Sequence, residues 1–170
     1  MLSNNVMFSR YIKQVGQLVL ILSTLLLSFS TSASANNAGA DSKAQLQQLL
    51  DENKGKVIYL DFWASWCIPC RKSFPWMNAM EDKYAEQGFK VITVNVDVEK
   101  SLAIEFLEEN PADFSVIYDP KGNIAKEFKL KGMPSSYMIN KLGKPVSAHV
   151  GFYTDKKAEY EAEIVKLLEE

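Results

Sequence analysis

Two cysteines, one histidine and two arginines are all that this 170-residue chain holds of those types. With only Arg10 and Arg71, and no basic stripe interleaved with aromatics, the chain lacks the electrostatic footprint of nucleic-acid binding. A zinc site takes four ligands, and beyond the two cysteines only His149 is on offer, far along the chain, so no metal site is read. No motif for an organic cofactor is found either, and no internal repeat or low-complexity tract. The longest apolar run, Val15 to Phe29, falls short of the roughly 20 residues of a comfortable membrane span. What is present is ordinary for a globular fold: 47% hydrophobic residues, 24% charged and a formal net charge of −2, which excludes a disordered chain.

The amino terminus has the pattern of a targeting segment. Arg10 and Lys13 precede the apolar run, and Ala33-Ser34-Ala35 offers the small-x-small site of a signal peptidase. Residues 1–35 are therefore expected to be a signal peptide cleaved after Ala35, with retention as an uncleaved anchor the competing reading. Either places the remainder outside the cytoplasm, in the periplasm or its equivalent, and membrane attachment follows only if the leader is kept. Residues 36–40 are expected to be a flexible lead-in and residues 41–170 one domain, a length that suits a single core.

Along that domain the pattern alternates. A helix is expected from Asp41 or Ser42 as N-cap, with Ala44, Leu46, Leu49 and Leu50 on one face, ended by Gly55. Val57 to Trp63 is a run of β-branched and aromatic residues, hence a buried strand. A long helix follows Cys67 and stops at Gly88, with Pro75 inside it as a source of a kink. Phe89 to Val98 predicts a second strand, Ser101 to Glu109 a helix capped by Ser101, and Ser115 to Tyr118 a short third strand. Asp119-Pro120-Lys121-Gly122 is a turn, since proline presets φ and glycine follows. A short helix from Ile124 to Phe128, strands Ser135–Ile139 and Pro145–Val150 joined at Lys141 to Lys144, and a helix from Asp155 to Leu168 complete the order. Early strand–helix–strand units imply parallel pairing with helices on both faces, and the late hairpin adds an antiparallel edge: an α/β fold.

The informative feature is the spacing of the two cysteines. Disulfide exchange needs a thiolate to attack and a second thiol close enough to resolve the mixed disulfide. A strand ending at Trp63, a turn through Ala64 to Trp66 and a helix starting near Cys67 supply both. Cys67 then sits among unpaired N–H groups at the positive end of a helix, and Cys70 one turn inside. Cys67 is read as nucleophile and Cys70 as resolver, with Arg71 and Lys72 adding positive charge nearby. A purely structural bond is the blander reading, but closing a two-residue loop constrains little of the unfolded chain. Inert buried thiols are the other.

The segment Tyr59-Leu60-Asp61-Phe62-Trp63-Ala64-Ser65-Trp66-Cys67-Ile68-Pro69-Cys70-Arg71-Lys72 closely resembles the active-site segment of the thioredoxin superfamily. Pro75, Asn95-x-Asp97 and Gly132-Met133-Pro134 match by spacing too, so the resemblance covers nearly everything after the leader. The leader, the Asp119–Asn123 turn and the stretch Gly132–Ile139 look most like the TlpA-like branch, exported thiol–disulfide reductases of bacteria. The resemblance implies a three-layer thioredoxin-like sandwich: a central mixed sheet with a C-terminal antiparallel hairpin, flanked by helices. It also implies a Cys67–Cys70 disulfide, a docking surface shaped by Trp66 and Pro69, and a cis peptide from Met133 to Pro134 whose backbone groups pair with an extended substrate. Asp61 would be a buried carboxylate behind Cys70, exchanging the resolving thiol's proton. Taken without the resemblance, an acid in the middle of this apolar run is costly to bury and so suits proton handling, the alternative being a strand-end acid that reaches solvent or caps a backbone group. Pro134, on the same footing, reads as an ordinary trans proline. The implied partners are oxidised protein substrates and a membrane thiol-reductant donor, with apocytochrome maturation a typical setting.

Direction follows from Ile68-Pro69, which lacks the histidine that stabilises the thiolate in strong oxidants of the family; a reductant is expected. An oxidant, or a binding or chaperone module with a static disulfide, are the alternatives. The peroxiredoxin signature is absent. Two positions depart from the family pattern: Thr93, where a lysine often stands as the charge partner of Asp61, and Ser135-Ser136, where many TlpA-like chains have glutamate or threonine. His149 is read as a strand-surface residue with no catalytic part.

Overall fold

The structure, a computed structural model, describes residues 38–170, with side chains from Ser42 onward. The expected leader (residues 1–35) and its expected cleavage site lie outside the described residues. The elements are α1 (Ala38–Glu52), β1 (Val57–Trp63), α2 (Ile68–Tyr84), β2 (Phe89–Asn95), α3 (Lys100–Glu109), β3 (Ser115–Tyr118), α4 (Asn123–Glu127), β4 (Ser135–Ile139), β5 (Pro145–Val150) and α5 (Lys157–Glu169). Single 3₁₀ turns follow α2 and precede α5. The five strands form one sheet in the order β3-β2-β1-β4-β5. β1, β2 and β3 run parallel, while β4 and β5 are antiparallel to their neighbours. This is the mixed sheet with helices on both faces that the alternating pattern predicts.

β1 lies at the centre and all seven of its residues are buried, which explains its unbroken apolar and aromatic run. Its alternate side chains feed two cores. Val57, Tyr59 and Trp63 join Phe74, Trp76, Met77 and Met80 of α2, Ala103 and Phe106 of α3, and Tyr160, Ile164 and Leu167 of α5. Ile58, Leu60 and Phe62 face the other way, with Leu46 of α1 and Ile124 of α4. The first core is knit by aromatic edges: the Trp63 ring centroid lies 4.9 Å from Phe74 and 4.8 Å from Phe106. Such pairs contribute about 0.5–1.5 kcal/mol each beyond their buried area and fix α2 and α3 against the end of β1.

Several boundaries differ from the sequence reading, each for a local reason. α1 starts at Ala38, so the cap expected at Asp41 lies inside the helix. β2 stops at Asn95 rather than Val98, because Asn95 and Asp97 turn their polar groups onto one another. α3 begins at Lys100, and Glu99, at its N-cap position, makes no side-chain cap bond; Ser101 is already helical. Asp119 does more than turn the chain. Its buried carboxylate accepts the backbone N–H groups of Asn123, Ile124 and Ala125, and so closes the open start of α4. Gly122 carries the left-handed φ of +64° that this turn requires.

Candidate active site

The site is built at the carboxyl end of β1. Past Trp63 the chain turns through Ala64, Ser65 and Trp66, and Cys67 becomes the N-cap residue of α2. Cys67 has extended backbone angles, its N–H donates to the Ala64 carbonyl at 3.1 Å, and its Sγ accepts the N–H of Cys70 at 3.3 Å. Cys67 and Cys70 are joined by a disulfide with Cα atoms 5.3 Å apart. A sulfur in this position faces the unpaired N–H groups and positive end of the helix, the setting that lowers a thiol's pKa. Cys67 is 3% exposed and Cys70 fully buried, so the exposure order expected from the sequence holds, although even Cys67 shows little surface. The open rim is formed by its chain neighbours, Trp66 and Ile68, at 65% and 71% exposed. Pro69 stands in the first turn of α2, where proline's missing N–H costs nothing.

The turn that presents Cys67 is pinned from beneath. Asp97, nearly buried, accepts the Ser65 N–H at 2.8 Å and the Ser65 hydroxyl at 2.9 Å. It also takes an N–H of the Asn95 side chain at 2.7 Å, while the Asn95 side-chain carbonyl accepts the Asp97 N–H. The Trp63 carbonyl accepts from Val96 in the same place. The sequence showed Asn95-x-Asp97 only as a match in spacing; Ser65 stood in the resembling segment with no role of its own. Arg71, which the sequence placed as a positive charge beside the thiol, has no bond to the sulfur. Its guanidinium bonds Glu109 at 2.9 Å and the Ser65 carbonyl, in the turn before Cys67, at 3.4 Å, and lies over the Phe106 ring, 5.0 Å from its centroid.

Asp61 sits in the middle of β1 at 1% exposure, and neither carboxyl oxygen has a hydrogen-bond partner. Burial alone pushes its carboxyl well above the ordinary carboxylate range, which strengthens it as a proton acceptor once ionised. By strand parity it faces the layer of α2 and α5, on the side of Tyr59 and Trp63. Thr93, opposite it on β2, bonds the Trp63 indole and the Ser115 carbonyl, so the residue standing where the family often has lysine is spent on neutral bonds. Tyr59 is also buried, and its phenol is pushed well up by burial and then by the neighbouring Asp61 carboxylate.

The Met133–Pro134 bond is cis. Met133 packs against the core cluster that contains both cysteines, and among the described residues its backbone N–H and carbonyl have no partner. The Pro134 carbonyl is taken by Gly151 at 2.8 Å, and the Ser135 hydroxyl bonds the Gly132 carbonyl. Thus Cys67, Cys70, Trp66, Pro69 and Met133 gather at one end of the sheet, and Asp61 lies on β1 just before Trp63. Among the described residues no group of three or more histidine, cysteine or acidic side chains could hold a metal ion.

Known proteins are similar to this chain in sequence and in fold. The chain is 35% identical over 111 residues to the thiol-disulfide oxidoreductase ResA of Bacillus thuringiensis subsp. konkukian; the match takes in 65% of this chain and 64% of that protein, just under two thirds of its length. A Chlorobium tepidum structure assigned as the thiol:disulfide interchange protein DsbE superposes with a TM-score of 0.68 at 48% identity, covering 70% of this chain and 84% of the other. StoA of Bacillus subtilis superposes with a TM-score of 0.55 at 28% identity, over 64% and 84% respectively. The family model described as Redoxin matches residues 29–164, a span that takes in every strand of the sheet, the capping cysteine and the cis-proline loop; the chain belongs to that family, within the thioredoxin superfamily.

Proposed function

We propose that this protein is a thiol–disulfide oxidoreductase working outside the cytoplasm as a reductant of protein disulfides through a Cys67–Cys70 couple. One observation carries the reading: Cys67 caps α2 with its sulfur toward the helix N–H groups and is bonded to a cysteine one turn deeper. In the reduced protein the Cys67 thiolate attacks one sulfur of a substrate disulfide. A mixed disulfide forms and the other substrate sulfur leaves as a thiolate, to be protonated from solvent. Cys70 then gives its proton to the Asp61 carboxylate and attacks the Cys67 sulfur. The intramolecular bond closes and the second substrate sulfur departs, so two electrons have passed to the substrate. The unpartnered backbone groups of Met133 would hold an extended substrate segment as an added strand, with Trp66 and Pro69 as its apolar seat.

The reducing direction is supported by what surrounds the sulfur. A strong oxidant owes its potential to a well-stabilised thiolate. Here Cys67 receives one N–H, at 3.3 Å, Arg71 is held by Glu109, and the neighbouring side chain is an exposed isoleucine. Apocytochrome c thiols as client, a membrane thiol-reductant as donor, and export by the 1–35 leader complete the proposal; the resemblance to the TlpA-like branch supports them. The test is catalysis of insulin reduction by dithiothreitol, with Cys67→Ser as control, together with a glutathione titration of the couple. Acceleration lost in Cys67→Ser and a potential near about −270 mV are expected. No acceleration over background would leave a binding module with a static bond, and a potential near about −120 mV would make the protein an oxidant.

A further inference from the structure

A polar line crosses the α2/α5 face of the sheet. Directly opposed residues on neighbouring strands point to the same face, and the register pairs Thr93 with Asp61, Asp61 with Ser136, and Ser136 with His149. Four strands therefore contribute a polar or titratable side chain to one transverse row, flanked by Val91, Tyr59, Met138 and Ser147 on one side and by Asn95 and Trp63 on the other. The row runs from the sealed centre of the sheet to its β5 edge. Asp61 is at the closed end. Ser136, buried beside it, stands directly opposite on β4, with the Tyr59 phenol in the next row. At the open end the His149 Nε2 lies 2.8 Å from a carboxylate oxygen of Glu163 on α5, and the Ser147 hydroxyl bonds the other oxygen. The Tyr160 ring stands edge-on to the imidazole, 5.1 Å between centroids. This end opens into a surface cavity of about 460 Å³.

Both carboxyl oxygens of Asp61 and the Trp76 indole N–H are the buried side-chain polar atoms without partners among the described residues, and both residues belong to this face. An acid that takes a proton in each catalytic cycle must also discharge it. α2, with the disulfide, covers it on one side and the apolar aromatics of the first core close the rest. From these placements we infer that the transverse row is the outlet for the Asp61 proton: Ser136 and Tyr59 pass it along the row, and the His149–Glu163 pair exchanges it with solvent. Ser136, His149 and Glu163 are positioning residues, acting on the cysteines only through Asp61. The inference rests on the proposed role of Asp61 as acceptor of the Cys70 proton.

The step balances simply. Cys70 loses H⁺ to Asp61 as it attacks. Asp61 then transfers H⁺ to the row as His149 releases one to water, and no electron moves beyond the sulfurs. An imidazole suits the outer end, since it ordinarily gains and loses a proton near neutral pH. The titratable groups around it are Glu163, Glu159, Lys156 and Tyr160 from the α5 segment and Tyr153 from the preceding loop, so the proton can pass to water or to a neighbouring carboxylate.

The experiment is single-turnover oxidation of the pre-reduced full chain by insulin at neutral pH in dilute buffer, followed by tryptophan fluorescence. His149→Gln and Glu163→Gln should each slow the resolving step about tenfold, less than the roughly 100-fold or more of a direct general base. Free imidazole should restore the His149→Gln rate, and the reduction potential should not change. Asp61→Asn should be slow, and the Asp61→Asn/His149→Gln double variant no slower, because the row has no proton to carry. If Asp61→Asn is slow while both outer variants run at the wild-type rate in dilute buffer, the outlet is wrong and the role of Asp61 stands. If Asp61→Asn runs at the wild-type rate, the reading of Asp61 falls and the outlet with it. A slow His149→Gln that imidazole leaves slow, or that adds to Asp61→Asn, overturns the proposal in favour of simple packing.

Discussion

Replacing Asp61 by leucine should make the oxidised protein more stable, by an amount that grows with pH. The two side chains have the same branched outline, so the exchange swaps two partnerless buried oxygens for methyl groups at little steric cost. A buried polar group without a hydrogen bond costs about 1–3 kcal/mol, and that much should be gained even where the carboxyl is neutral in both states. Above that lies a proton effect. In the unfolded chain an aspartate titrates near about 3.9, whereas burial holds the native Asp61 carboxyl well above that. Between those two values the native state keeps a proton that the unfolded state has shed, so wild-type stability falls as pH rises through the window. Leucine binds no proton in either state, and its advantage should widen by about 1.4 kcal/mol per pH unit until the native carboxyl ionises. Guanidinium unfolding of the oxidised proteins at about pH 4, 5, 6, 7 and 8, with midpoints and slopes compared, reads this directly. Parallel stability curves, or a leucine variant weaker at every pH, would mean that the carboxyl has a compensating partner and that the account of its burial is wrong.

Three further outcomes follow from the site. Cys70→Ser, which keeps the capping thiol and loses the resolving one, should accumulate a mixed disulfide with insulin chains on non-reducing gels, whereas Cys67→Ser should trap none. Asp97→Ala removes an acceptor of two Ser65 bonds and one Asn95 bond, and should lower stability by about 2–3 kcal/mol in denaturant unfolding while shifting the potential of the couple. Gly132→Ala would put a Cβ 2.8 Å from a methyl carbon of Val150, so it should cost about 1–3 kcal/mol, and adding Val150→Ala should recover most of that in the melting temperature.

Much of the fold was legible because its cues are local. The run from Val57 to Trp63 could only be a central strand, and Gly88 stops the helical segment before β2 with a φ of +90°. The cysteine spacing needed only a helix start to acquire meaning, and Cys67 does cap α2. What stayed hidden depends on pairs far apart in sequence. Asp97 reaches back 32 residues to Ser65, and Arg71 is drawn 38 residues forward to Glu109 instead of toward the thiol. His149 offered an isolated imidazole on an alternating strand, which suggests nothing. Only the register between β4 and β5, and the arrival of α5 with Glu163, sets it in line with Asp61. Composition and periodicity carry no such information.

The loop ahead of Cys67 takes its shape from the sheet: Ser65 hangs from Asp97, Ala64 receives the Cys67 N–H, and Trp63 receives that of Val96. None of these attachments involves a sulfur. Opening the bond between the cysteines takes up two electrons and breaks none of the hydrogen bonds that hold this cradle. A carrier built in this way spends no motion on readying itself. Its rate is left to the encounter with the client and to how fast hydrogen ions come and go.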